Sequence, residues 1–209
     1  MSLLKQIESK DIENNQMCIY FLGQSGYVLK FKKLTIYIDP YLTDYIENPL
    51  GLNEKKMFRL FPSPIDPKSI SKCDAIICTH SHVDHMDPWT LEKIPSVFKL
   101  YCSRRAFQQN PVNIKKSQWL YMKWDETYSI NELKIIPIPA AHYDLSDKNG
   151  QPDCLSFIII SNNATLFFWG DGILYDGLID RLNSYSFDYF FAPINGRDWF
   201  RTVSYTHLT

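Results

Sequence analysis

Residues 79–85 read Thr-His-Ser-His-Val-Asp-His, and no other stretch constrains the chain so strongly. Positions 80–85 hold His80, His82, Asp84 and His85, three of the five histidines in the sequence. In extended backbone, residues two apart face the same way, so His80 and His82 can share one ion. Asp84 and His85 follow where the chain turns toward its next helix, and they can face a neighbouring ion. Neutral imidazole suits zinc, iron, copper or nickel, and a carboxylate extends the range toward manganese. One histidine in a polar loop is ordinarily only solvated. Three with an aspartate at this spacing point to metal-assisted hydrolysis.

The flanking sequence explains how such a loop is held. Residues 74–78 (DAIIC) form a short apolar strand, with Cys78 as buried filler. Asp87-Pro88 supplies a helix cap and a proline at the first helical position. The cluster therefore sits in a strand-to-helix loop, where a rigid scaffold aims side chains outward. Further strands are expected at 17–22, 26–31, 34–38, 97–102, 119–122, 127–130, 132–138 and 187–191. A hairpin is expected from 155–160 and 164–169, and helices at 103–109 and about 173–182. Asp39-Pro40 ends the third strand, since proline cannot continue a ladder. Residues 40–72 hold five prolines and read as a long loop, a length that is usually functional. Trp119, Tyr121 and Trp124 read as core packing. Runs of strands with few helices give an α+β fold of two mixed β-sheets with helices outside.

Two more donors stand at strand ends. His142 follows residues 138–141, and Asp171 closes the run 167–171, where Gly170 permits a close turn.

The remaining composition excludes several classes. A net charge of -1 gives no electrostatic footprint for nucleic acid, and the doublets Lys32-Lys33 and Lys115-Lys116 are too short to make one. No apolar run approaches the roughly 20 residues that span a bilayer. The first residues turn polar too soon for a signal peptide. Five scattered cysteines without a CxxC pair indicate reduced thiols and a cytoplasmic setting.

The run from His80 to His85 resembles the HxHxDH signature of the metallo-β-lactamase superfamily, and Asp39, His142 and Asp171 resemble its further motifs in order. Residues 21–26, 38–41, 79–88 and 193–198 look most like the L-ascorbate-6-phosphate lactonase group. The resemblance implies a four-layer αββα sandwich with one or two divalent ions, zinc or manganese, with iron also used in the superfamily. It implies that His80, His82 and His142 bind the first ion, that Asp171 bridges, and that Asp84 and His85 bind the second. Asp39 would orient the histidine loop from behind the ligands.

The implied reaction is attack of a metal-activated water on a small anionic substrate, a lactone or ester such as a sugar-acid phosphate lactone. Asp84 would orient the water and relay its proton. Arg197, Asn195 and Gln24 are the candidates for holding the substrate, Arg197 because guanidinium donors match anions in pairs. The rival readings are a phosphodiesterase or nuclease of the same fold and a non-catalytic metal-binding protein. A homo-oligomer is compatible with the sequence.

The superfamily takes a further histidine for the second ion from a late strand, and the chain ends before one. Residues 203–209 (VSYTHLT) resemble translated adapter sequence. The expectation is a hydrolase domain over 1–202 whose last strands and helix are missing, with 203–209 a non-native tail and His207 no ligand. Such a fragment would be less stable and inactive.

Overall fold

The computed structural model describes residues 1–46, 59, 61–96, 98–109, 114, 119–142, 145–146, 150, 152 and 154–194. Two compact units divide the chain: Met1–Cys102 with Phe107–Tyr121, and Ser103–Ala106 with Met122–Thr209.

The first unit opens with helix α1 (Leu3–Ser9), which the sequence reading did not anticipate. The Ser2 side chain caps it by accepting the Lys5 N–H, and Ile7 is its one buried residue. Strands β1 (Cys18–Gly23), β2 (Gly26–Lys30), β3 (Thr35–Ile38), β4 (Ala75–Ile77), β5 (Lys99–Ser103) and β6 (Trp119–Met122) follow in that spatial order. The β1–β2 and β2–β3 pairs are antiparallel, while β3–β4 and β4–β5 are parallel. β3 and β4 are buried along their whole length, which is why they read as continuous apolar runs rather than alternating ones. Between them a 3₁₀ turn, Pro67–Ser69, interrupts the long loop, and helix α2 (Pro88–Lys93) follows β4. Helix α3 (Arg104–Gln109) comes after β5.

The second unit carries β7 (Tyr128–Ile130), β8 (Leu133–Ala140), β9 (Cys154–Ile160), β10 (Thr165–Phe168) and β11 (Tyr189–Phe191), ordered β11-β10-β9-β8-β7. Only β10–β11 is parallel, so both sheets are mixed and the α+β expectation holds. Ile138, Ile158, Phe167, Trp169, Leu178 and Leu182 form its core.

Three expectations are corrected. The helix expected from 173 is α4 (Leu178–Leu182), because Ile173 pairs with Ala141 and Gly177 takes φ 90°. The strand expected at 97–102 runs Lys99–Ser103, with Val97 outside the described residues. Tyr121 is 47% exposed rather than core, and its ring meets Phe107 at 4.8 Å.

Candidate metal centre

The histidine loop begins where β4 ends. Ile38 and Ile77 are in register, so β3 and β4 release their chains at the same edge of the sheet. The Asp39 N–H still donates to Ile77 O at 3.0 Å, and the residue then takes φ 43°. That left-handed conformation is one aspartate adopts more readily than most residues. Its carboxylate is buried and serves the loop from both oxygens. Oδ1 accepts the Thr79 N–H at 2.7 Å, and Oδ2 accepts the Thr79 hydroxyl at 2.7 Å and His85 Nδ1 at 2.8 Å.

Within the loop, the His85 and Met86 N–H groups both donate to His82 O, at 3.0 and 2.8 Å. This turn carries His85 to His80, with ring centroids 4.1 Å apart, while the His80 and His82 rings lie 4.5 Å apart. Residues 80–82 are bent rather than extended, yet His80 and His82 still converge. Their donor nitrogens lie within 4.8 Å, as do those of His80 and His85. Asp84 Oδ2 is 3.8 Å from His85 Nε2.

His80 and His85 are buried, Asp84 is intermediate and His82 is exposed, so the donors grade from core to solvent. Imidazole nitrogens and a carboxylate oxygen at these separations form a cluster able to bind a metal ion. Cys78, fully buried directly before the loop, has its thiol pushed far up by burial, with Asp39 adding to the effect. It remains a neutral packing residue.

The loop is closed on its far side by Asp87, the cap of α2. Oδ1 accepts the Trp89 N–H at 3.0 Å, and Oδ2 accepts the hydroxyls of Thr43 at 2.7 Å and Thr90 at 2.5 Å. Burial pushes this carboxyl up, and the hydrogen bonds from Thr90, Thr43 and Trp89 pull it down.

In the second unit, Ala141 just beyond β8 pairs with Ile173 beyond β10, and the Ile173 N–H donates to Ala141 O at 2.5 Å. The segments bearing His142 and Asp171 therefore run side by side. Both residues are half-buried, and Gly170 turns the chain at φ 67°. Gln24 is exposed in the β1–β2 turn with φ 51°. Asn195, Arg197 and His207 lie outside the described residues.

Sequence reasoning missed the roles of Thr79 and Thr43. The signal for Thr79 was a hydroxyl placed between an apolar strand and the first histidine.

The family described as the beta-lactamase superfamily domain matches residues 35–209, and the chain belongs to it. In class it is a metal-dependent hydrolase of the β-lactamase fold. A protein named metal-dependent hydrolase in Desulforamulus reducens is 27% identical over 183 residues, covering 80% of this chain and 68% of the relative. The chain thus spans about two thirds of that relative's length. Igni18, a metallo hydrolase from Ignicoccus hospitalis, superposes with a TM-score of 0.59 at 19% identity, over 87% of this chain and 72% of its own. An isothiocyanate hydrolase from Delia radicum gut bacteria gives a TM-score of 0.62 at 16% identity, over 82% and 69%. These two show the shared fold. Among the described residues, no helix is long and apolar enough to cross a membrane.

Proposed function

We propose that the chain hydrolyses a small anionic lactone or ester, such as a sugar-acid phosphate lactone, in the cytoplasm. His80, His82 and His142 would hold one divalent ion, Asp84 and His85 would hold a second, and Asp171 would serve both. The observation that carries this reading is the Asp39 carboxylate. It takes His85 Nδ1 at 2.8 Å, which turns Nε2 toward Asp84 Oδ2. Metal-ligating histidines characteristically have their second nitrogen held this way.

When bound, such ions supply Lewis acidity and bring the pKa of water toward neutrality. Asp84, carried on the open side of the loop, orients the attacking water and takes its proton. Arg197 grips the anionic group, and Asn195 and Gln24 donate to the substrate. A cavity of about 670 Å³ in the first unit, lined by Asp44, Arg59, Asp66, Lys68 and Lys93 among others, is of small-molecule size.

The test is metal analysis of the purified chain, followed by a screen of lactones, esters, thioesters, phosphodiesters and isothiocyanates. His82→Ala should abolish turnover with the far-UV circular dichroism unchanged; unchanged turnover rejects the assignment. Hydrolysis of phosphodiesters alone would favour the nuclease reading. Bound metal with no hydrolysis would favour a non-catalytic protein.

A further inference from the structure

We infer that Thr79 is a positioning residue whose hydroxyl fixes the tautomer of His80, so that one buried carboxylate orients two histidines at once. The inference rests on the reading of His80 as a metal ligand, but its geometry stands apart from any ion.

A threonine hydroxyl has one proton to give and two lone pairs to receive with. Thr79 Oγ1 lies 2.7 Å from Asp39 Oδ2, and a carboxylate can only accept. The hydroxyl proton is therefore spent on Asp39. His80 Nδ1 lies 3.0 Å from the same oxygen, so that contact requires an N–H on Nδ1 donating into Oγ1. The lone pair of His80 is then on Nε2. His85 reaches the same state by donating from Nδ1 to Asp39 Oδ2 directly at 2.8 Å.

The two imidazoles are thus held in matching tautomers by different routes. His85 depends chiefly on the carboxylate, with Thr79 Oγ1 a longer contact at 3.3 Å, and His80 depends on the carboxylate through Thr79. The burial supports this: Thr79 is 1% exposed, Asp39 1% and His80 2%, which leaves little room for water to substitute for the hydroxyl. The Thr79 N–H, donated to Asp39 Oδ1 at 2.7 Å, holds the backbone beside the carboxylate that the hydroxyl also meets.

The test uses the full chain, first without metal, by long-range ¹H–¹⁵N NMR of the histidine rings. In the native sequence both His80 and His85 should show the Nδ1–H pattern; an Nε2–H pattern at His80 overturns the inference before any variant is made. Thr79→Val keeps the side-chain shape and removes the hydroxyl. It should release His80 from the Nδ1–H form while leaving His85 in it, and Thr79→Ser should restore both. Zinc titration against a competing chelator should then show roughly ten- to hundredfold weaker binding for Thr79→Val and near-native binding for Thr79→Ser. A His80 that stays Nδ1–H in Thr79→Val, or a Thr79→Ser that fails to restore it, overturns the role. If the native chain binds no zinc, the metal reading fails, while the ring pattern of His80 still decides whether Thr79 sets its tautomer.

Discussion

Thr43 donates its hydroxyl to Asp87 Oδ2 at 2.7 Å and its backbone N–H to the same oxygen at 3.1 Å. This single oxygen ties the segment that follows Asp39 to the helix that follows the histidine loop. The Leu42 N–H, donated to Thr90 Oγ1 at 3.0 Å, adds a second strap between the same elements. The histidine loop is therefore anchored at both ends by buried aspartates, Asp39 where it leaves β4 and Asp87 where it enters α2. Asp87→Ala should cost about 2–4 kcal/mol, combining a lost helix cap with buried hydroxyls left unpaired. Urea denaturation checks it. A loss below about 1 kcal/mol would mean that water replaces the carboxylate.

Lys30 is buried in β2, and its ammonium donates to the carbonyls of Ile7 and Glu8 in the last turn of α1. A cation at a helix C-terminus meets carbonyls that the helix itself leaves unsatisfied. Glu8 in turn accepts from the Ser71 N–H at 2.9 Å and hydroxyl at 2.7 Å, which fixes α1 to the segment before β4. Lys30→Met should lower stability by about 1–3 kcal/mol and speed amide exchange across residues 3–9 before the rest of the chain. Exchange unchanged in those residues would show that Ile7 packing and the Glu8–Ser71 bonds hold α1 without Lys30.

Burial pushes the thiols of Cys73 and Cys78 far up, and that of Cys102 to about 12. A raised pKa leaves almost no thiolate at neutral pH, and the thiolate is the reactive species. Iodoacetamide at pH 8 should therefore label Cys18, which is only half-buried, and spare these three until the chain unfolds. Mass spectrometry before and after urea reads this directly.

How far the sequence disclosed the molecule depended on where the determining contacts lie along it. The strand-to-helix placement of residues 79–87 was legible because an apolar run, a cap aspartate and a proline are adjacent in sequence. The fully buried β3 and β4 were legible for the same local reason. The role of Thr79 was not, because it depends on Asp39, 40 residues away, reaching back over the loop. Helix α1 was missed because only Ile7 of it is buried, so it carries no apolar stripe, and its C-terminus is held by Lys30, 23 residues on. The late start of α4 was hidden as well: residues 173–177 suit a helix locally, but pairing of Ile173 with Ala141 takes the backbone elsewhere.

Gly172, directly after Asp171, leaves no room for a side chain. A Cβ there would stand 2.4 Å from Trp169 Nε1 and 2.6 Å from its Cδ1. Trp169 cannot give way easily, since it is 5% exposed and packs in the core with Ile138, Phe167 and Leu178. Gly172→Ala should therefore displace the indole and cost about 1–3 kcal/mol as overpacking, with a shift in tryptophan emission. Gly177 provides the contrast, with φ 90° but nothing within 4 Å of an added methyl. Gly177→Ala should cost only the backbone strain of about 1–2 kcal/mol and leave the emission unchanged. Equal emission shifts in the two variants would show that the indole responds to general loosening rather than to the methyl at residue 172. Because Asp171 sits between Gly170 and Gly172, Gly172→Ala should also weaken zinc binding measured against a competing chelator, whereas Gly177→Ala should not.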